Sequence, residues 1–180
     1  MRPPALALAL TLLALALLPA PAVAQGGARI PVVPMDRFQW LGELAGSCWR
    51  GTNAEGKEME TQCYSVQWDR LLRATTRTRV PRGEKVTVLE GETVIAWNPR
   101  NGQYDVAQWN AEGRLVASEA TLHKGAFRFW TRERDGSDPK ERTIWRRYGK
   151  ERFEVTLERR DGDRWRTVKT TTYDRVAGAP

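Results

Sequence analysis

The segment 48–63, CWRGTNAEGKEMETQC, holds both cysteines of the chain. Two thiols can ligate a metal, act as nucleophiles or form a disulfide. A zinc site usually takes four ligands, and no further cysteine or histidine lies near this segment. A thiol nucleophile needs a histidine partner, and the single histidine of the chain, His123, lies far along the sequence. The disulfide is therefore the favoured chemistry.

The spacing of the two cysteines also favours a disulfide. Glu55-Gly56 is suited to the tip of a β-hairpin, and a hairpin centred there sets Cys48 directly opposite Cys63. Directly opposed residues have Cα atoms ~4.5–5.5 Å apart, which a disulfide can bridge. We predict a structural disulfide between Cys48 and Cys63 that contributes ~3 kcal/mol to stability.

The N-terminal sequence has the features of a secretory signal peptide. A basic start is followed by an alanine- and leucine-rich run at 5–18 and a small-x-small cleavage site at 22–24. The run is shorter than the roughly 20 residues of a membrane-spanning helix. We predict a signal peptide at 1–24, a flexible leader at 25–34 and one domain at 35–180, in a secreted or periplasmic protein without a transmembrane segment.

The pattern of charged residues indicates whether a nucleic acid is a plausible partner. The formal net charge is +7, but basic and acidic residues alternate, as in the segment 158–164, ERRDGDR. Alternating charges are typical of a solvated face, whereas nucleic-acid sites concentrate one sign. We predict no nucleic-acid partner, and contact with an anionic envelope surface remains open. The pattern does not indicate an oligomeric state.

Motifs of catalysis and metal binding are missing from the sequence. It contains no Gly-x-Ser-x-Gly elbow, no His-Glu-x-x-His motif and no phosphate-binding loop. The acidic segments 135–138 and 161–163 do not continue into a calcium loop and are read as turns. We therefore predict no catalytic residues, no metal and no cofactor.

The sequence pattern predicts an all-β fold. After a short predicted helix at 35–45, in which Phe38, Leu41 and Leu44 have helical spacing, segments rich in valine, threonine and aromatic residues alternate with turn dipeptides. An antiparallel meander that closes into a barrel leaves no exposed sheet edge. About ten strands are predicted, at 47–53, 58–67, 70–80, 85–97, 103–109, 114–122, 126–134, 140–148, 151–160 and 164–176.

The segment 44–51, LAGSCWRG, the meander and the final 173–176, YDRV, resemble the lipocalin-like (calycin) superfamily, and most closely its secreted bacterial branch. The resemblance covers about residues 36–176 and implies a barrel that binds or carries a small apolar or amphipathic molecule. In lipocalins a tryptophan of the first strand packs on an arginine of the last strand by a cation–π contact, and Trp49 and Arg175 match those positions. Ten-stranded haem-binding relatives use a histidine near the C-terminus, which this chain lacks.

Counting opposed residues across the predicted hairpin of strands 140–148 and 151–160 gives candidate ligand contacts. A two-residue turn at Gly149-Lys150 sets Arg146 opposite Phe153, and Arg146 and Tyr148 then point inside, similar to the Arg-x-Tyr pair that holds a carboxylate in fatty-acid-binding barrels. A three-residue turn would send Arg146 to solvent, because a one-residue slip exchanges the faces of a strand. The interior register also predicts that Val168 faces inward.

Aromatic residues complete the predicted site. Eight tryptophans are a high number, and Trp97 and Trp109, with Phe129, stand in central strands where they form core or barrel wall, or stack against a ligand. The leading hypothesis is a carrier barrel for a small apolar or amphipathic ligand, anionic if Arg146 faces inward. The alternative is a filled barrel whose basic outer surface contacts an envelope partner.

Overall fold

A computed structural model describes residues 35–110, 112–131 and 137–177. The predicted signal peptide at 1–24 and leader at 25–34 lie outside the described residues. The described part of the predicted domain forms a closed barrel of ten antiparallel strands in which each strand pairs with the next and the last pairs with the first. The all-β meander barrel that the sequence predicts is confirmed.

The strands begin and end close to the predicted positions. Val-, Thr- and aromatic-rich segments suit a pleated, half-buried wall, and the dipeptides between them supply the turns. The strands are β1 (Ser47–Thr52), β2 (Glu58–Gln67), β3 (Leu71–Arg82), β4 (Lys85–Asn98), β5 (Gln103–Asn110), β6 (Leu115–His123), β7 (Ala126–Thr131), β8 (Glu141–Arg147), β9 (Arg152–Asp161) and β10 (Arg164–Val176).

The barrel closes at the β1–β10 seam. Trp49 lies opposite Arg175 there, and Gly51 lies opposite Tyr173. A Cβ atom at position 51 would stand 2.8 Å from Cε1 of Tyr173, so glycine is required for the tyrosine ring to cross the first strand. This close approach brings the β10 tyrosine into the interior of the barrel.

The predicted inward orientation of Val168 is wrong, because β10 contains a bulge. The pairing with β9 shifts between Thr167 and Lys169, so that Lys169 lies opposite Leu157 and Thr171 lies opposite Val155. Val168 is left half exposed instead of facing inward. The extra residue of a bulge exchanges the faces of the residues beside it, and the turn dipeptides alone do not reveal it.

The predicted short helix is present as a 3₁₀ segment, Met35–Leu44, which is two short turns joined at Gln39 with a positive φ of 50°. Its three apolar residues Phe38, Leu41 and Leu44 are buried, as their spacing indicates. The Trp40 indole N–H donates to the carbonyl of Gly125, 3.0 Å away, in the β6–β7 turn. The segment therefore covers one end of the barrel, which we call the closed end.

Aromatic rings fill the closed end. The ring centroids of Phe38 and Tyr104 are 5.9 Å apart, those of Trp40 and Phe127 are 5.4 Å apart, and those of Trp49 and Phe153 are 5.1 Å apart. The Tyr104 hydroxyl donates to the backbone carbonyl of Arg37, which fastens the 3₁₀ segment to β5. We call the opposite end, near the β3–β4 and β9–β10 turns, the open end.

The predicted disulfide is confirmed. Cys48 of β1 lies opposite Cys63 of β2, and the two residues are bonded with their Cα atoms 4.0 Å apart. Because Trp49 faces the interior, its neighbour Cys48 faces the outer side of the wall. The disulfide therefore ties the first hairpin together from outside and leaves the interior to other residues.

Candidate ligand-binding cavity

The β8–β9 register overturns the predicted inward orientation of Arg146. Arg146 lies opposite Glu154, and Phe153 lies opposite Arg147. The turn has three residues centred on Lys150, because the Tyr148 amide donates to the carbonyl of Arg152, 2.8 Å away. The two-residue turn is therefore wrong, and Arg146 is exposed on the outer surface, as the alternative of a three-residue turn predicts.

Arg147, one residue later, is the arginine on the inward face of β8. Its Nη2 atom lies 2.8 Å from Oε2 of Glu43 in the 3₁₀ segment. The hydrogen bond from Arg147 lowers the pKa of Glu43. This arginine therefore ties the closed end to the barrel wall, and it does not reach an interior ligand.

Tyr148 also lies outside the barrel. It is half exposed, and its hydrogen bond with Glu154 raises the pKa of the phenol. The Arg-x-Tyr pair of the sequence analysis is therefore on the outer surface, next to an acidic residue. It does not form a carboxylate-binding site within the barrel.

A cavity of about 290 Å³ opens into the barrel from the open end. Ligand pockets commonly have volumes of ~300–1,000 Å³, so this one suits a small molecule. Most lining residues come from the inward faces of strands β2 to β8, and Glu90 and Trp109 border the mouth. Its apolar part includes Tyr64, Ala74, Ile95, Val106, Phe129 and Trp145.

The floor of the cavity is aromatic. The ring centroids of Phe129 and Trp145 are 4.7 Å apart, and those of Trp145 and Phe153 are 5.7 Å apart. Trp145 therefore separates the cavity from the aromatic residues of the closed end. Of the sequence-predicted contacts, Phe129 lies in this floor.

The two predicted tryptophans occupy different places. Trp97 packs on Tyr104, with ring centroids 5.0 Å apart, and belongs to the filled part of the barrel. Trp109 borders the mouth of the cavity but lies opposite Glu92 on the outward register of β5, and 38% of its surface is exposed. Trp109 is therefore a rim residue, and Trp97 is a core residue.

A hydrogen-bonded polar group lies on the wall above the floor. The Gln62 amide N–H donates to Oε1 of Glu60 at 3.0 Å and to the Tyr173 hydroxyl at 3.1 Å. The Thr78 hydroxyl donates to Oε2 of Glu60 at 3.2 Å. The Tyr173 hydroxyl donates to Oε1 of Glu60, and the Tyr64 hydroxyl donates to Oε1 of Gln62.

This polar group is preorganised by burial. Tyr64 and Tyr173 are almost completely buried. Desolvation, with a smaller contribution from the charge of Glu60, raises the pKa of Tyr64 well above its ordinary value. Tyr64 therefore stays protonated and donates to Gln62, which keeps the Gln62 amide directed at Glu60.

This polar group is not among the contacts predicted from the sequence, although β2 contains a signal for it. Glu60, Gln62 and Tyr64 alternate on β2 with outward residues. The same hairpin register that pairs Cys48 with Cys63 also pairs Trp49 with Gln62. An inward Trp49 therefore implies an inward Gln62 and, by the two-residue period of a strand, an inward Glu60.

A larger hollow of about 830 Å³ lies on the outer face of β2, β3 and β4. Its charged residues are already paired. The guanidinium–carboxylate distances are 2.6 Å for Arg73–Glu92, 3.0 Å for Arg77–Glu90 and 3.4 Å for Arg79–Glu58. Because each of these charged groups already has an opposite charge as its partner, the interior cavity is the better candidate site.

The cation–π contact between Trp49 and Arg175 that the lipocalin resemblance implies is not formed, although the two residues are paired through their backbones. Trp49 lies opposite Arg175, but its ring packs on Phe153, and its indole N–H donates to the Ser47 hydroxyl at 3.0 Å. Nη1 of Arg175 lies 3.5 Å from Oε1 of Glu151. The expected cation–π pairing is therefore replaced by an aromatic pair and an exposed ion pair.

Comparisons with known proteins do not assign the chain. It matches no model of a known protein family and no curated protein. Among the described residues, no cluster of three or more histidine, cysteine or acidic side chains is placed to hold a metal. In the same part of the chain, no helix has the length and apolar character needed to span a membrane.

Proposed function

We propose that the protein binds a small amphipathic molecule inside the barrel and acts as a carrier in a secreted or periplasmic setting. The observation that carries this proposal is the cavity of about 290 Å³, which has an aromatic and aliphatic floor and a hydrogen-bonding wall. A ligand would place its apolar part against Phe129 and Trp145 and its polar part near Glu60 and Gln62. The disulfide supports an oxidising compartment.

The barrel is neither fully hollow nor fully filled. The filled-barrel alternative describes the closed end, where the 3₁₀ segment and its aromatic neighbours occupy the interior. The hollow half lies above Trp145. Binding at this depth buries the apolar part of a small ligand, which contributes ~25 cal/mol per Å² of apolar surface removed from water.

The proposal is tested by blocking the cavity. Thr76 lines the cavity on β3, whereas its neighbour Thr75 is exposed on the outer face. Six-carbon probes, namely hexylammonium, hexanol and hexanoate, are titrated into the oxidised protein. Binding is followed by the nuclear magnetic resonance signals of the tryptophan indoles. We expect at least one probe to shift the signal of Trp145 and to leave that of exposed Trp68 unchanged.

The matched variants are Thr76→Phe and Thr75→Phe. We expect Thr76→Phe to weaken probe binding about tenfold or more, equivalent to ~1.4 kcal/mol or more, and Thr75→Phe to leave it unchanged. Circular dichroism confirms that both variants are folded. If no probe shifts Trp145, or if both variants bind as the wild type does, the interior is not the binding site.

A further inference from the structure

The ligand chemistry can be narrowed from the environment of Glu60, and this step rests on the proposed function. Glu60 is the carboxylate on the inward face of β2, and it is part of the cavity wall. Its two oxygens accept hydrogen bonds from Gln62, Thr78 and Tyr173. Three donors from three strands therefore converge on this one carboxylate.

The carboxylate keeps acceptor capacity toward the cavity. An ionised carboxylate offers about four lone-pair sites, and the three hydrogen bonds leave about one of them unused. Thr78 is the single described donor to Oε2, whereas Gln62 and Tyr173 both donate to Oε1. A further N–H donor can therefore approach Glu60 without displacing a protein group.

No protein cation balances this charge within the described lining. Neither lysine nor arginine is among the described residues that line the cavity. The neighbouring carboxylates differ in this respect, because Glu90, which borders the same cavity, is bound to Arg77, and Glu92 is bound to Arg73. Removal of a charge from water is costly unless an opposite charge accompanies it.

From this contrast we infer that the cavity selects a small organic cation, an ammonium-bearing molecule with an apolar body. Its N–H groups donate to Glu60, and its apolar body lies on Phe129 and Trp145. A charge-assisted hydrogen bond of this kind is roughly twice as strong as a neutral one. The sequence-based expectation of an anionic ligand depended on an inward Arg146, which the β8–β9 register excludes.

The test uses the same probes of equal chain length, hexylammonium, hexanol and hexanoate, on the oxidised wild-type chain. We expect hexylammonium to bind about tenfold or more tightly than hexanol, and hexanoate to bind weakest, because its charge repels Glu60. This ranking needs no variant. Hexanol or hexanoate binding as tightly as hexylammonium would overturn the inference, whereas the proposed function would stand if Thr76→Phe abolished that binding.

Two variants that each lose one negative charge test whether the preference for hexylammonium arises from Glu60. Glu60→Gln removes the interior charge, and Glu154→Gln removes a charge from the outer face of β9, where Glu154 lies opposite Arg146. We expect Glu60→Gln to bind hexylammonium and hexanol with equal affinity, and Glu154→Gln to keep the wild-type ratio. An ammonium preference that persisted in Glu60→Gln, or that was lost in Glu154→Gln, would show that surface charge produces it.

Discussion

The closed and open ends of the barrel use the same ten strands for different purposes. At the closed end, Phe38, Trp40 and Tyr104 pack among rings from the four strands β4, β5, β7 and β9. The indole of Trp40 and the hydroxyl of Tyr104 donate to backbone carbonyls there. At the open end, Glu60 and Gln62 direct polar atoms at a cavity. The closed end stabilises the fold, whereas at the open end Glu60 keeps hydrogen-bond acceptor capacity toward the cavity.

This difference shows where stability and selectivity reside. Deep burial of large apolar rings gives most of the hydrophobic free energy, and it requires that no space remains for a ligand. A carboxylate with hydrogen bonds but no counter-charge adds little to stability, and it creates a preference for one class of molecule. Substitutions at the two ends should therefore separate these properties.

The largest effect is expected at Phe38, which is completely buried in the closed end. Phe38→Ala should lower the free energy of unfolding by about 3–5 kcal/mol, because it removes a ring and leaves a void. Denaturant unfolding measures the loss. Probe affinity of the folded variant should stay within about twofold of the wild type, since Phe38 is not among the cavity residues.

The control for this substitution is Trp68→Ala. Trp68 is 79% exposed in the β2–β3 turn, so its removal should change stability by no more than about 0.5 kcal/mol. If Phe38→Ala were as mild as Trp68→Ala, the 3₁₀ segment would not form part of the core. If it abolished probe binding while the barrel stayed folded, the two ends would not be separable.

The disulfide should have the next largest effect. The double substitution Cys48→Ala with Cys63→Ala should reduce the free energy of unfolding by ~3 kcal/mol, because the unfolded chain regains the entropy of an open loop. Chemical denaturation of the wild type under oxidising and reducing conditions should show the same difference. A reductant that changes the double variant equally would assign the effect to something other than this bond.

The smallest of these effects is a loss of stability at alkaline pH. Burial raises the pKa of Tyr104 to about 12, above the ordinary value of 10.0, so the folded state holds the phenol proton more tightly than the unfolded state. This contribution is fully present below pH 10 and is lost as the pH rises toward 12. At pH 11 the expected loss is about 1 kcal/mol.

Unfolding measured at pH 8 and pH 11 compares the wild type with Tyr104→Phe. The variant should lose less stability between the two values than the wild type does. It should still lose some, because the pKa of Tyr64 is also raised. An equal loss in both proteins would contradict the assignment of this alkaline sensitivity to the closed end.

Much of the fold follows from local sequence patterns. A two-residue alternation marks a half-buried strand, and turn dipeptides mark the hairpin tips, so the strands, the barrel and the Cys48–Cys63 pairing are predictable from the chain alone. Helical spacing also identifies Phe38, Leu41 and Leu44 as buried. These signals are local because each depends on neighbours in sequence or on one hairpin.

Only the tertiary structure decides which polar residues face the cavity. The β8–β9 turn and the β10 bulge each set a register, and a one-residue change sends Arg146 outward, brings Arg147 inward and exposes Val168. The partners of Glu60 come from β2, β3 and β10, which meet only when the barrel closes. Strand periodicity determines that a residue has two possible faces, and closure of the barrel determines which one is inside.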